Sequence, residues 1–135
     1  MKGSGVGGQG SGTGGLAVGA DLVEVCRIAG LVERYGARFT SRVFTQGELA
    51  DCGGRSESLA ARWAAKEAVA KALGTGIGAM AWQEIEVLRG EGGCPVLRLH
   101  GRAQVLAVER GLTQWALSLA HDGGMALAFV VATGS

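Results

Sequence analysis

A chain of 135 residues with a formal net charge of +1 is long enough for one domain with its own hydrophobic core. Lys and Arg number 13 against 12 acids, and aromatics make up 5%; neither the basic excess nor the stacking platform of a general nucleic-acid binder is present. No apolar run reaches the length of a bilayer span and no signal-peptide pattern occurs, so the expectation is a soluble, cytoplasmic protein with no membrane association.

Residues 1–15 are a Gly/Ser-rich tract with nothing to contribute to a core. They read as a flexible leader or an added linker, which leaves residues 16–135 as the domain. From Leu16 to Val25 the pattern alternates like a strand. Leu16, Val18, Ala20 and Leu22 share one face, and Asp21 falls on the other among Ala17, Gly19 and Val23. A polar–apolar helix is predicted around Leu31 to Phe39. Thr45 and Glu48 have capping-box spacing, so a short helix starts after Thr45. Gly53-Gly54 ends it, and Ser56 or Ser58 is placed to cap the next helix.

That next helix, Leu59 to Leu73, carries the most information. It is alanine-rich, with high helix propensity. Leu59, Trp63, Ala70 and Leu73 make one stripe, and Ala61, Ala65, Ala68 and Ala72 make a small-residue face opposite. A helix apolar on both sides is expected to be buried on both. Arg62, Lys66, Glu67 and Lys71 nonetheless lie within it, with Lys66 in the large-residue stripe. Charges there are costly unless paired or met by a ligand. The helix runs into Gly74-Thr75-Gly76, where backbone can approach a bound group closely.

The second half is rich in strands: Trp82 to Leu88, a turn over Gly90 to Gly93, then Val96 to His100. A short helix over Gly101 to Arg110 follows. Thr113 to His121 and Met125 to Thr133 form a hairpin turned at Asp122-Gly123-Gly124. Helices early and antiparallel strands late define an α+β fold. Cys26, Cys52 and Cys94 form no CxxC pair or Cys/His cluster and read as reduced thiols.

Asp21 on a strand and Glu67 on a helix both sit in apolar surroundings. Two such carboxylates repel or protonate, whereas a divalent cation between them relieves both. Hard oxygen ligands with few protein contacts suit Mg²⁺ bound to phosphates. Arg62, Lys66 and Lys71 could offset phosphate charge, and His121 could add a donor. Each feature taken singly has an ordinary explanation. Glu67 and Lys71 have the spacing of a helix ion pair, and Asp21 could be an edge residue. His121 could be a hydrogen-bonded structural residue, and Gly74-Thr75-Gly76 a helix cap and turn.

Their joint occurrence resembles the holo-[acyl-carrier-protein] synthase family, the small phosphopantetheinyl transferases. The matching pieces run in family order. They are Gly19-Ala20-Asp21-Leu22-Val23-Glu24-Val25-Cys26-Arg27-Ile28, then Phe39 to Thr45 with Glu48, then Arg62-Trp63-Ala64-Ala65-Lys66-Glu67-Ala68. Lys71-Ala72-Leu73-Gly74-Thr75-Gly76, Trp82 with Ile85-Glu86-Val87, Gly93-Cys94-Pro95 and Leu117 to His121 complete the series. All but the leader is covered.

The resemblance implies the phosphopantetheinyl transferase fold. It also implies transfer of 4′-phosphopantetheine from coenzyme A to a serine of an apo acyl carrier protein, releasing adenosine 3′,5′-bisphosphate. Asp21 and Glu67 would hold Mg²⁺ against the coenzyme pyrophosphate. Lys71 would meet the departing phosphate, with Arg62 and Lys66 as further phosphate-side groups. Gly74, Thr75, Gly76, Pro95 and His121 would line the nucleotide pocket, and Arg27 would meet the acidic helix of the carrier. The serine proton could go to Glu67 or to a metal-bound water. A homotrimer with active sites between subunits is implied as well. Two other functions fit the same fold, an inactive coenzyme A or nucleotide sensor and a carrier-protein interaction module. The sensor leaves the pair of acids without a task, and the module predicts no labelling of a free carrier protein.

Overall fold

The computed structural model describes residues 15–134; the Gly/Ser tract up to residue 14 lies outside the described residues. Strand β1 (Leu16–Glu24) leads without a loop into helix α1 (Val25–Tyr35). Gly36, at φ 57°, then separates α1 from α2 (Ala37–Val43). The single helix expected around Leu31 to Phe39 is therefore two helices, and the first begins six residues earlier. The break falls at Gly36 because only glycine takes that backbone conformation without strain.

Helix α3 (Gln46–Cys52) has the reciprocal capping box expected of Thr45 and Glu48, and Gly53 closes it in the left-handed conformation. Helix α4 (Ser56–Ala72) is entered from Arg55 with no side-chain cap, so neither Ser56 nor Ser58 plays the predicted part. The long helix needs little help at its start, because tertiary packing holds it on nearly every side.

A turn of 3₁₀ helix over Trp82–Glu84 replaces the first residues of the expected strand, which begins instead as β2 (Ile85–Arg89). It pairs with β3 (Pro95–Leu99), and α5 (Gly101–Glu109) follows. The hairpin of β4 (Gln114–Asp122) and β5 (Met125–Thr133) turns at Gly123-Gly124, both with positive φ.

The larger sheet has the order β1-β5-β4 and is antiparallel throughout, while β2 and β3 form a separate two-stranded sheet. This is the expected α+β architecture. Helix α4 lies across the inner face of β1 and β5. Ala17, Gly19 and Val23 of β1 and Ala126, Ala128, Val130 and Ala132 of β5 are the buried residues there. They meet the small-residue face of α4, and a Cβ on Gly19 would overlap the carbonyl oxygen of Ala68. Small residues on both sides bring helix and strand backbones together. The leucines of β1 face outward: Leu16 is 56% exposed and Leu22 is 59% exposed.

Candidate active site

Close packing at Gly19 sets the site. Asp21 is two residues further along β1 on the same inner face, opposite Ala128 of β5. Glu67 precedes Ala68 on α4, and Lys71 follows one turn later. The Lys71 Nζ donates to the Asp21 carboxylate at 3.1 Å and to the Ala20 carbonyl at 3.0 Å. The ion pair thus runs from helix to strand rather than along the helix from Glu67 to Lys71. Asp21 is 19% exposed and Lys71 39%, so the pair sits at the mouth of the helix–sheet cleft.

Glu67 is half-buried and has no side-chain hydrogen bond among the described residues. Burial pushes its proton affinity above the ordinary carboxylate value, and the nearby Asp21 carboxylate pushes it further. Lys71 and Arg27 pull the other way. The two acids are thus near enough for the charge of Asp21 to act on Glu67.

Among the described residues no cluster of three or more His, Cys, Asp or Glu side chains could hold a metal ion. The protein would therefore supply two carboxylates. Mg²⁺ is ordinarily held by one or two carboxylates plus substrate phosphates, so the donor set fits that ion when a phosphorylated ligand completes it.

The basic residues of α4 divide into three environments. Lys71 faces the acids. Arg62 is 6% exposed, forms no ion pair among the described residues, and its Nε has no hydrogen-bond partner. A buried guanidinium left in that state is suited to an anion brought by a ligand.

Lys66, expected on the phosphate side, is elsewhere. It is 0% exposed and paired at 2.8 Å with Glu48, itself 0% exposed. It also donates to the carbonyls of Trp82 and Ile85. Burial pulls its pKa below the usual lysine value, against the opposing pull of Glu48. Glu48 accepts from the backbone N–H groups of Thr45 and Val87 as well, so this pair ties α3, α4 and β2 together. Lys66 is therefore a structural residue of the core. The capping-box acid was the available signal, because a Glu so close to the core needs a cation.

Gly74-Thr75-Gly76 continues directly from α4, one turn beyond Lys71, and the buried Thr75 Oγ1 has no hydrogen-bond partner. His121 lies on the inner face near the end of β4, level with Val23. It is two strands, roughly 10 Å, across the sheet from β1. Pro95 opens β3 in the other sheet, opposite Arg89. No hydrogen bond or ion pair among the described residues links Pro95 or His121 to Asp21. One chain thus assembles Asp21, Glu67 and Lys71, and leaves Pro95 and His121 apart from them.

Sequence reading missed a basic groove beside the site. Leu31, Tyr35, Arg38, Phe39 and Arg42 of α1 and α2 line a depression of about 270 Å³. Between residues 25 and 43 the only acid is Glu33, against Arg27, Arg34, Arg38 and Arg42. Reading one helix in place of two hid the placement of Arg38 and Arg42 beside Leu31 and Tyr35.

Residues 17–129 match the 4′-phosphopantetheinyl transferase superfamily, and the chain belongs to that family. Within it, the chain is 51% identical over 126 residues to a holo-[acyl-carrier-protein] synthase of Herpetosiphon aurantiacus. The alignment covers 88% of this chain and 99% of the relative. It is also similar to two solved holo-[acyl-carrier-protein] synthases. That of Helicobacter pylori, in complex with coenzyme A, has a TM-score of 0.78 and 29% identity, covering 85% of this chain and 98% of the other. That of Neisseria meningitidis has a TM-score of 0.75 and 38% identity, covering 85% and 95%.

Proposed function

We propose that this chain is a cytoplasmic, Mg²⁺-dependent holo-[acyl-carrier-protein] synthase. It moves the 4′-phosphopantetheine of coenzyme A onto a serine of an apo acyl carrier protein and releases adenosine 3′,5′-bisphosphate. The observation that carries the reading is the Asp21–Glu67–Lys71 group at the helix–strand cleft, in a chain that belongs to the superfamily.

Two carboxylates would hold Mg²⁺, and the ion would neutralise and orient the coenzyme pyrophosphate. The serine oxygen attacks the phosphorus attached to pantetheine. The bond to the bridging pyrophosphate oxygen breaks, and that oxygen leaves with the electron pair on the adenosine bisphosphate. Lys71 meets this charge. The hydroxyl proton leaves as the new bond forms, to the Glu67 carboxylate or to a water beside it. Positioning and charge neutralisation dominate this chemistry, so no protein nucleophile is needed. Cys52 is buried, and burial raises the pKa of its thiol, which suits a structural part.

Arg62, with its unpartnered Nε, is assigned to a phosphate of coenzyme A, and Gly74, Thr75, Gly76, Pro95 and His121 to the nucleotide pocket. Arg27 and the basic groove suit an acidic carrier helix. The separation of Pro95 and His121 from the acids supports a site completed by another copy. The outer face of the larger sheet, with Leu16, Val18, Leu22, Leu127 and Phe129 exposed, is the surface we assign to a homotrimer contact. A cytoplasmic setting suits three free cysteines, and no helix among the described residues is long and apolar enough to cross a membrane.

The decisive test incubates the protein with apo carrier proteins, coenzyme A and Mg²⁺, then weighs the carriers. A gain of one phosphopantetheine that depends on metal is expected. Unmodified carriers, with coenzyme A still bound by the protein, would leave a sensor in place of an enzyme.

A further inference from the structure

The basic groove and the acidic pair are separate features, yet one side chain adjoins both. Trp63 lies on α4 one turn before Glu67, on the same side of the helix. Its indole stacks on Trp82 at 4.3 Å between ring centres, inclined by 30°. The ring of Phe39, which lines the groove, is centred 5.9 Å from that of Trp63. A third neighbour is the Arg27 guanidinium, whose central carbon sits 5.5 Å from the centre of the Trp63 ring. Arg27 is exposed and stands on α1 one turn before Leu31, another residue lining the groove.

We propose that Trp63 is a positioning residue for carrier recognition: its indole holds the Arg27 guanidinium at the edge of the α1–α2 groove, so an acidic partner meets a cation already oriented. The inference rests on the reading of Arg27 as a carrier contact. A free arginine samples many rotamers, and fixing it at an interface weakens binding. A cation over an indole face is attracted by the ring and loses that freedom before the partner arrives. Trp63 also belongs to the helix that bears Glu67 and Lys71. Recognition and chemistry thereby share one rigid element, with the docked serine placed relative to both.

The test measures initial rates with the carrier varied at saturating coenzyme A, and the reverse, for the intact protein and its variants. Trp63→Leu is expected to raise the KM for carrier about three- to ten-fold while kcat and the KM for coenzyme A stay near the parent values. Trp63→Phe keeps a ring and should recover most of the loss. Adding Trp63→Leu to Arg27→Ala should cost nothing further. Trp63→Met serves as a second ring-free variant should Trp63→Leu fail to fold. Equal behaviour of the ring-free and Phe variants, or additive effects with Arg27→Ala, would overturn the inference. Arg27→Ala without effect on carrier KM would instead sink the underlying carrier-contact reading.

Discussion

Gly19 on β1 lies under the Ala68 carbonyl on α4, in a gap that has no room for a methyl group. The backbone N of Ala72 would also lie only 3.1 Å from a Cβ at that position. Asp21 is two residues from one contact partner, and Glu67 is adjacent to the other. The distance between the acids is therefore set by the smallest side chain available. Gly19→Ala should force α4 off the sheet, at about 1–3 kcal/mol and roughly 5–10 °C in Tm. Transfer should fall about 100-fold, since small displacements at a reacting centre are costly. Thermal unfolding with a carrier-loading assay checks both.

Burial makes an ionised Glu67 costly in the folded chain. Its carboxyl binds a proton more tightly in the folded chain than in the unfolded one, through burial and then Asp21. Its favourable contribution is therefore full below the ordinary carboxylate pKa and is lost as pH rises through the raised folded value. At neutral pH without metal, Glu67→Gln should raise Tm by about 1–4 °C, a gain that fades toward pH 4. Mg²⁺ with coenzyme A should stabilise the parent protein and do so much less for the variant, which should lose transfer.

Arg62 gives a parallel case with opposite charge. Its buried Nε lacks a partner, so the free protein has little to lose by its removal. Arg62→Met should leave Tm of the free protein unchanged or higher. The KM for coenzyme A should rise about 10- to 100-fold, the scale of a hydrogen bond to a charged group. A large fall in Tm would show a structural role instead.

The buried Lys66–Glu48 pair should behave in the reverse manner. Lys66→Met leaves a carboxylate without its cation in the core, at about 3–5 kcal/mol. Combining it with Glu48→Gln removes that stranded charge, so the double variant should lose less than the sum of the single losses. Urea unfolding of the four proteins measures the coupling.

Charging the outer sheet face tests the assembly. Leu22 and Leu127 are directly opposite each other across β1 and β5, and Phe129 lies one repeat away. Leu22→Asp or Phe129→Asp should convert a species of three chains into monomers by light scattering, with loss of transfer. A monomeric parent protein would refute the trimer.

Much of this was legible along the chain. Alternation in β1 placed Asp21 on the small-residue face, and the spacing of α4 put Glu67 and Lys71 one turn apart. The Thr45–Glu48 box and the Gly123-Gly124 turn were readable because both are local, with partners within a few residues. The break at Gly36 was missed, since a glycine inside an amphipathic pattern does not announce a positive φ. Lys66 was misplaced for a different reason. Its partner Glu48 is on another helix, and helical periodicity says that a charge is buried without saying what meets it.

The sequence by itself determined which residues carry charge, which faces are small and which are large, and where most elements begin. Those properties follow from side-chain chemistry and from periods of two and 3.6 residues. Only the tertiary structure decided that Lys71 pairs with Asp21 and Lys66 with Glu48, that Arg62 has no ion-pair partner among the described residues, and that Arg38 and Arg42 of α2 line a groove with residues of α1. Each depends on which elements meet in space, and that is settled by packing: α4 approaches β1 where glycine permits it.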